Sequence, residues 1–382
     1  MIKTIKFKID KKNFTLQNNF KNNFIVKSNL KDYKILWKNE SIKKTINPLF
    51  KDSKNLFLID KKVYNLYFKN LSKKNIFLMD AKESLKNVNQ AIKFTDFLID
   101  KKATKQTKII VIGGGIIQDV GAFACAMFKR GLPWVLVPTT LLSITDSCIG
   151  AKTGLNYGST KNIHALFSAP TEVIINLEFL STLKKEDIIS GIGESLKLCI
   201  IGGQNSLSIF DDNIKNSLEN NLSSSLKKII ITSLYIKKAI IEYDEFEFNH
   251  RRSLNYGHSI GHAIEIMSNY KIPHGISIIF GILIENQISV NRFGMKNKDA
   301  KYILDLVNKI KIPKKYIEEL NLIDFNGIDQ ILTRDKKTIG KILKIAIPTK
   351  KIGLLQFCNQ PIDKKLKLTL KKITKTLIEK II

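Results

Sequence analysis

Short apolar runs separated by polar, helix-compatible stretches mark the first half of the chain. The opening MIKTIKFKIDKKNF alternates apolar and charged residues, the two-residue period of a strand. FLID (57–60) and NIFLMD (75–80) read as further short strands, each followed by a polar segment able to form a helix. That rhythm predicts βαβ units and a parallel sheet. KIIVIGGG (108–115) reads as a buried strand ending in three glycines, IIQDVGAFACAMFKRG as the helix after it, and WVLVPTT (134–140) and TEVIINL (171–177) as the remaining strands.

From about residue 180 the period changes to that of helices. TLKKEDIISGIGESLKLCIIGG, residues 223–247, HSIGHAIEIMSNY, residues 275–294 and NKDAKYILDLVNKI all carry helical spacing. In the last segment Leu366, Leu370, Ile373, Leu377 and Ile381 form an apolar stripe that predicts packing on the domain rather than on a membrane. The expected fold is therefore an N-terminal α/β domain with a parallel-sheet nucleotide-binding region, residues 1–180. A mainly α-helical domain, residues 181–382, is expected to follow, with ligand binding in the cleft between the two.

Composition narrows the function without choosing it. The 382 residues are 44% apolar and 25% charged, and Lys plus Arg exceeds Asp plus Glu by 63 − 34 = 29. The lysines are spread along the chain, with no RGG run, zinc-finger spacing or aromatic-interleaved basic stripe, so nucleic acid is not an expected partner. The excess charge reads mainly as a lysine-biased composition on solvated faces, with a smaller share that favours anionic substrates. No apolar run approaches the roughly 18 residues of a membrane span, and the N-terminus lacks a signal-peptide pattern. A cytoplasmic protein is expected. The four cysteines, Cys125, Cys148, Cys199 and Cys358, form no C-x-x-C pair and read as small buried residues.

Four stretches carry candidate chemistry. In VIGGGIIQDVGAF (111–123) a strand delivers glycines to a helix start, where backbone N–H groups can approach a phosphate. The spacing is not the G-x-G-x-x-G of a dinucleotide fold, and a tight structural turn explains it equally well. PTTLLSITDSCIGAKTGLNYGSTKN (138–162) gathers Thr139, Thr140, Asp146, Lys152, Lys161 and Asn162 in a loop-like segment suited to a nucleotide and a phosphate. In SGIGESLKLC (190–199), Glu194 and Lys197 share a helical face in apolar, glycine-rich surroundings, which suits a covered metal ligand better than a surface ion pair. In RRSLNYGHSIGHAIE (251–265), His258 and His262 stand four apart on one face, and His274 follows in KIPHGIS. His258, His274 and Glu194 would make a catalytic zinc site; His258, His262 and a carboxylate are the competing set. His164 and His250 read as structural.

The order GGGIIQD, KRG, PTTLL, DS, KTGLN, KN, GIGESLK, RRSLNYGHSIGHAIE and PHG resembles the 3-dehydroquinate synthase family of sugar-phosphate cyclases, over roughly residues 55 to 350. The resemblance implies bound NAD and a divalent metal, zinc or cobalt, on Glu194, His258 and His274, with His262 beside the substrate. It places NAD at Gly114 and Gly115, with Asp119, Thr139, Thr140, Asp146, Lys152, Lys161 and Thr182 around it. Glu83 and Lys86, in DAKESLK, and Asp60 match nucleotide positions less closely. Lys152 and Asn162 match phosphate-binding positions, and Lys197, Lys237, Arg251 and Asn255 match positions around the substrate carboxylate and hydroxyls. Lys336 or Lys337 matches a late lysine of the site. Arg130 resembles a residue that reaches the neighbouring site of a homodimer.

The implied reaction converts 3-deoxy-arabino-heptulosonate 7-phosphate to 3-dehydroquinate and phosphate. It runs through transient oxidation by NAD, β-elimination, re-reduction and an intramolecular aldol closure. Three departures bear on the substrate. Gln118 and Ala151 stand where the family usually has glycine, and NIHALF follows Lys161 in place of the usual methionine-isoleucine-glycine-alanine-phenylalanine. A cyclase for another sugar phosphate is the first alternative, and an NAD- and metal-dependent alcohol or glycerol-phosphate dehydrogenase the second.

Overall fold

A computed structural model describes residues 4–158, 160–334 and 337–381. Its first strands, β1 (Thr4–Ile9) and β2 (Lys12–Gln17), form a hairpin with Thr4 opposite Gln17. Two compact units follow from the contacts: Lys21–Leu183, and the residues up to Phe20 together with those from Lys184 onward.

The Lys21–Leu183 unit is built on a seven-stranded sheet. Its strands are β3 (Phe24–Val26), β4 (Tyr33–Trp37), β5 (Leu56–Asp60), β6 (Ile76–Met79), β7 (Ile109–Gly113), β8 (Trp134–Pro138) and β11 (Glu172–Ile175). The order is β3-β4-β11-β8-β7-β5-β6, and every pairing is parallel except β3 with β4. Every residue of β7 and β8 is buried, which is why their sequences run apolar without alternation. The helix Gly115–Met127 lies close on this sheet, because a Cβ at Gly121 would fall 2.7 Å from Val111 Cγ2. The 138–162 segment is more ordered than a loop. It holds a helical turn, Ser143–Ser147, and enters the hairpin of β9 (Lys152–Tyr157) and β10 (Thr160–Phe167).

The other unit corrects the expected domain boundary. Residues 4–17, expected in the α/β domain, pair with the end of the chain instead. The five-stranded sheet runs β12-β13-β14-β1-β2, with β12 (Thr338–Ile339), β13 (Ile342–Pro348) and β14 (Leu354–Pro361). β1 lies parallel to β14, with Lys8 opposite Leu354. The alternation in β1 is the physical reason: Ile5, Phe7 and Ile9 are buried on one face only, whereas the parallel sheet buries both.

The unit's larger helices include Lys185–Ile201, Gln204–Glu219, Ser224–Tyr243, His258–Met267, His274–Arg292 and Asn297–Ile310. The helix Lys364–Ile378 buries Leu366, Leu370, Ile373 and Leu377, so its stripe packs on the unit as expected. No helix among the described residues is long and apolar enough to cross a membrane.

Candidate active site

Close helix packing creates the site's central cluster. In the helix Lys185–Ile201 a Cβ at Gly193 would fall 2.4 Å from the Gly275 carbonyl oxygen, so only glycine lets the helix His274–Arg292 approach this near. The approach sets Glu194, 1% exposed, beside His274. Glu194 Oε1 lies 3.4 Å from His274 Nε2 and 3.6 Å from His258 Nε2. Lys197, also 1% exposed, sits 2.5 Å from Oε2. Neither oxygen of Glu194 makes a hydrogen bond of proper geometry. Burial alone would raise the Glu194 pKa, but Lys197 and His274 hold it well below the usual carboxylate range.

The histidine partners show what the cluster suits. His258 Nδ1 lies 3.1 Å from the Tyr256 carbonyl oxygen, and a carbonyl only accepts. The proton is therefore on Nδ1, and Nε2 turns a lone pair toward Glu194. Burial, with Lys197 and His274 nearby, keeps the ring neutral by pushing its pKa well below the ordinary value. A lone pair facing a carboxylate suits a cation held by both. Zinc bonds of about 2.1 Å in a tetrahedral site put neighbouring ligand atoms about 3.4 Å apart, close to the two distances here. His274 is aimed from behind: its Nδ1 lies 3.2 Å from Glu265 Oε2. Burial opposes protonation of His274, but Glu194 and Glu265 outweigh it and raise its pKa to about 9.

His262 stands one turn from His258, with ring centroids 5.1 Å apart. One nitrogen from each of His258, His262 and His274 lies within 4.8 Å of the others, so a three-histidine set is also geometrically able to hold a metal. In the Glu194 set, the carboxylate stands 3.4 and 3.6 Å from the two histidine nitrogens.

Beside the cluster, the segment 244–255 carries two of the expected substrate residues. The Asp244 carboxylate accepts from the backbone N–H groups of Phe248, Asn249 and Arg251, each at 2.9 Å. The Arg251 side chain is buried and donates to the Glu245 carbonyl. Asn255 donates to Glu247 Oε1 at 2.9 Å. Lys237 is buried on the helix Ser224–Tyr243. Lys336 lies outside the described residues; its neighbour Lys337 stands near enough to His258 and His262 to lower the pKa of each.

The Lys21–Leu183 unit joins five of the expected nucleotide and phosphate residues, Glu83, Lys86, Asp119, Lys161 and Asn162, in one network. β7 ends in the glycines, and a Cβ at Gly114 would fall 2.9 Å from Thr140 Cγ2. Thr139 N–H donates to the Gly113 carbonyl at 3.0 Å, tying the glycine turn to the end of β8. Lys86 is the hub: its Nζ lies 2.6 Å from Asp119 Oδ2 and donates to Asn162 Oδ1 at 2.7 Å. Burial raises the Asp119 pKa, and Lys86 offsets part of that. Asn162 N–H donates to Asn156 Oδ1, Asn156 donates to Glu83 Oε1, and Lys161 Nζ lies 3.9 Å from the same Glu83 oxygen.

Two expected residues bond elsewhere. Asp60 caps the turn after β5 by accepting from Lys62 N–H, and Thr182 bonds the Tyr67 hydroxyl at 2.7 Å. Lys152 opens β9, and Arg130 follows the helix Gly115–Met127 with φ 66°. Sequence reasoning missed Glu265, Asn156, Tyr67 and Tyr256. Glu265 alone left a signal, as an acid inside the apolar helix that carries the two histidines.

The departures have physical readings. Gln118 spends both ends of its amide on Ser147. Its Nε2 donates to the Ser147 carbonyl at 2.7 Å and its Oε1 accepts from Ser147 Oγ at 2.8 Å. Ala151 has φ 58°, the left-handed conformation that glycine adopts without strain. His164 lies on β10, edge-on to Tyr157. Of the cysteines, Cys125, Cys148 and Cys199 are buried and Cys358 is half-buried.

Two family models match in tandem, 3-dehydroquinate synthase N-terminal over residues 76–190 and 3-dehydroquinate synthase C-terminal over residues 191–338. The chain belongs to the 3-dehydroquinate synthase family. A 3-dehydroquinate synthase of Clostridium tetani is 34% identical over 301 residues, covering 76% of this chain and 79% of that protein. One of Pelagibacter ubique is 32% identical over 360 residues, covering 91% and 97%. Among solved structures, a 2-deoxy-scyllo-inosose synthase complexed with carbaglucose-6-phosphate, NAD+ and Co2+ matches with a TM-score of 0.76 at 22% identity. That match covers 92% of this chain and 99% of the other. A probable glycerol dehydrogenase from Sinorhizobium meliloti matches with a TM-score of 0.59 at 12% identity, covering 90% and 96%. The 3-dehydroquinate synthase fold of this chain is thus the sugar-phosphate cyclase fold, an α/β N-terminal part followed by a mainly helical one.

Proposed function

We propose that this chain is a 3-dehydroquinate synthase. It converts 3-deoxy-arabino-heptulosonate 7-phosphate to 3-dehydroquinate and phosphate, in the cytoplasm, as a homodimer in which Arg130 reaches the neighbouring site. The observation that carries the reading is Glu194: a buried carboxylate facing a neutral His258 lone pair and His274 at metal-ligand spacing. When bound, NAD supplies a reversible hydride acceptor, and a zinc or cobalt ion on Glu194, His258 and His274 supplies a Lewis acid.

The chain's own groups bind, orient and neutralise. The N–H groups at Gly114 and Gly115, at a helix start, suit a pyrophosphate. Asp119, Thr139, Thr140, Asp146, Lys161 and Thr182 surround the rest of the nucleotide, with Asp60, Glu83 and Lys86 behind them. Lys152 and Asn162 hold the substrate phosphate, and Lys86 fixes Asn162 from behind. Arg251, Asn255 and Lys237 take the carboxylate and hydroxyls. Lys197 keeps Glu194 ionised, and His262 stands neutral beside the substrate. The phosphate leaves with the C–O bonding pair and takes up the proton from the neighbouring carbon, while Lys152 neutralises its growing charge. Ring opening and aldol closure then need only a shape that folds the product chain on itself.

Ala151 and His164, close in sequence to Lys152 and Asn162, favour one alternative, a cyclase for a different sugar phosphate. Product analysis by NMR decides. With NAD and zinc or cobalt, the heptulosonate phosphate should give 3-dehydroquinate. A carbocycle from sedoheptulose 7-phosphate and none from the heptulosonate phosphate would establish the alternative.

A further inference from the structure

Glu285 is fully buried, 0% exposed, in the helix His274–Arg292, and nothing in the reaction uses it. Its neighbour, the helix His258–Met267, starts without a side-chain cap: its N-cap is Gly257, with φ 77°. Glu285 supplies that cap from outside. Oε2 accepts from Gly257 N–H at 2.8 Å and Oε1 from Ile260 N–H at 3.3 Å. A carboxylate on the first N–H groups of a helix satisfies donors that burial would otherwise leave costly, and it meets the positive end of the helix dipole.

The reach depends on glycine. A Cβ at Gly281 would fall 2.0 Å from the Gly257 carbonyl oxygen, and one at Gly257 would fall 2.6 Å from Ile282 Cγ1. The two helices therefore touch backbone to backbone at the turn that Glu285 caps. Asn286 grips the same turn from the next position, accepting from the Tyr256 hydroxyl at 2.5 Å. The Tyr256 carbonyl in turn receives His258 Nδ1–H. His258 is the first residue of the capped helix, and His274 is the first residue of the helix that carries Glu285.

We propose that Glu285 is a positioning residue for the metal centre. It fixes the Tyr256–Gly257 turn, and through it the direction and tautomer of His258, against the helix that supplies His274. This rests on the reading of Glu194, His258 and His274 as the metal ligands. Partners that orient metal-binding histidines typically matter by about 10- to 100-fold in affinity.

The test is cobalt binding to the full chain. Glu285→Gln keeps the size but turns an NH2 group on one backbone N–H. Cobalt affinity, by chelator competition, should fall about 10- to 100-fold, and the visible absorption of the bound cobalt should change. Ile303→Val, buried in the helix Asn297–Ile310, should lower the melting temperature and leave cobalt affinity unchanged. That separates positioning from general loss of stability. Wild-type affinity and spectrum in folded Glu285→Gln would overturn the proposal. If Glu285→Gln does not fold, Tyr256→Phe loosens the same turn from the Asn286 side, and unchanged affinity there would overturn it equally. Cobalt affinity unaltered in His258→Ala would instead remove the metal reading beneath it.

Discussion

Gln118 offers a perturbation whose size follows from the geometry. Its side chain is buried, and both ends of its amide are spent on one residue, Ser147. Gln118→Ala removes the two bonds and leaves a part-buried carbonyl and hydroxyl without them. At about 0.5–1.5 kcal/mol per bond, with some cost for the groups left behind, the segment 140–150 should lose about 2–3 kcal/mol of local stability. Gln118→Gly should lose about 1 kcal/mol more, because glycine disfavours the helix interior. Amide hydrogen exchange reads this directly: about 2–3 kcal/mol corresponds to about 30- to 150-fold faster opening of that segment. On the proposed place of Asp146 beside the nucleotide, NAD should also bind more weakly while kcat at saturating NAD holds. Ser147→Ala in the same background should add little, since its partner is already gone. Exchange within threefold of wild type, or strictly additive single and double variants, would refute the reasoning.

Two further outcomes follow from the other unit. His258→Ala should lose bound metal, while His262→Ala should keep it and lose rate; equal loss of metal in both, read by elemental analysis, would favour the three-histidine set. Asp244 should give a pH signature. Its pKa lies below the usual 3.8: burial opposes this, but three backbone N–H groups outweigh it. A depressed carboxyl contributes stability above its unfolded pKa and loses it as pH falls through the folded one. The stability gap between wild type and Asp244→Asn should therefore be constant above about pH 4 and close below it, measured by denaturant titration. A gap unchanged in acid would contradict that account.

Much of this was legible in the sequence, and the rest has physical reasons for its silence. The unbroken apolar runs of β7 and β8 announced buried parallel strands, because a strand covered on both faces has no reason to alternate. Helical spacing put His258 and His262 on one face. The place of β1 was not legible: alternation says that a strand is half-buried, but not which distant strand it pairs with. Glu265 stood out only as an acid in an apolar helix, and Glu285 not at all, for the same reason. Their partners are 9 and 28 residues away in the chain, and only the glycine contacts between helices bring them together. What Gln118 bonds was not legible either, because its partner Ser147 lies 29 residues on.

Following phosphate and NADH in one reaction separates cyclase from dehydrogenase chemistry. The full chain, loaded with NAD and zinc or cobalt, is given 3-deoxy-arabino-heptulosonate 7-phosphate while phosphate release and nicotinamide absorbance are recorded together. Steady phosphate release with no net NADH is the expected result. NADH formed in step with substrate, and no phosphate, would contradict it and mark the chain as a dehydrogenase.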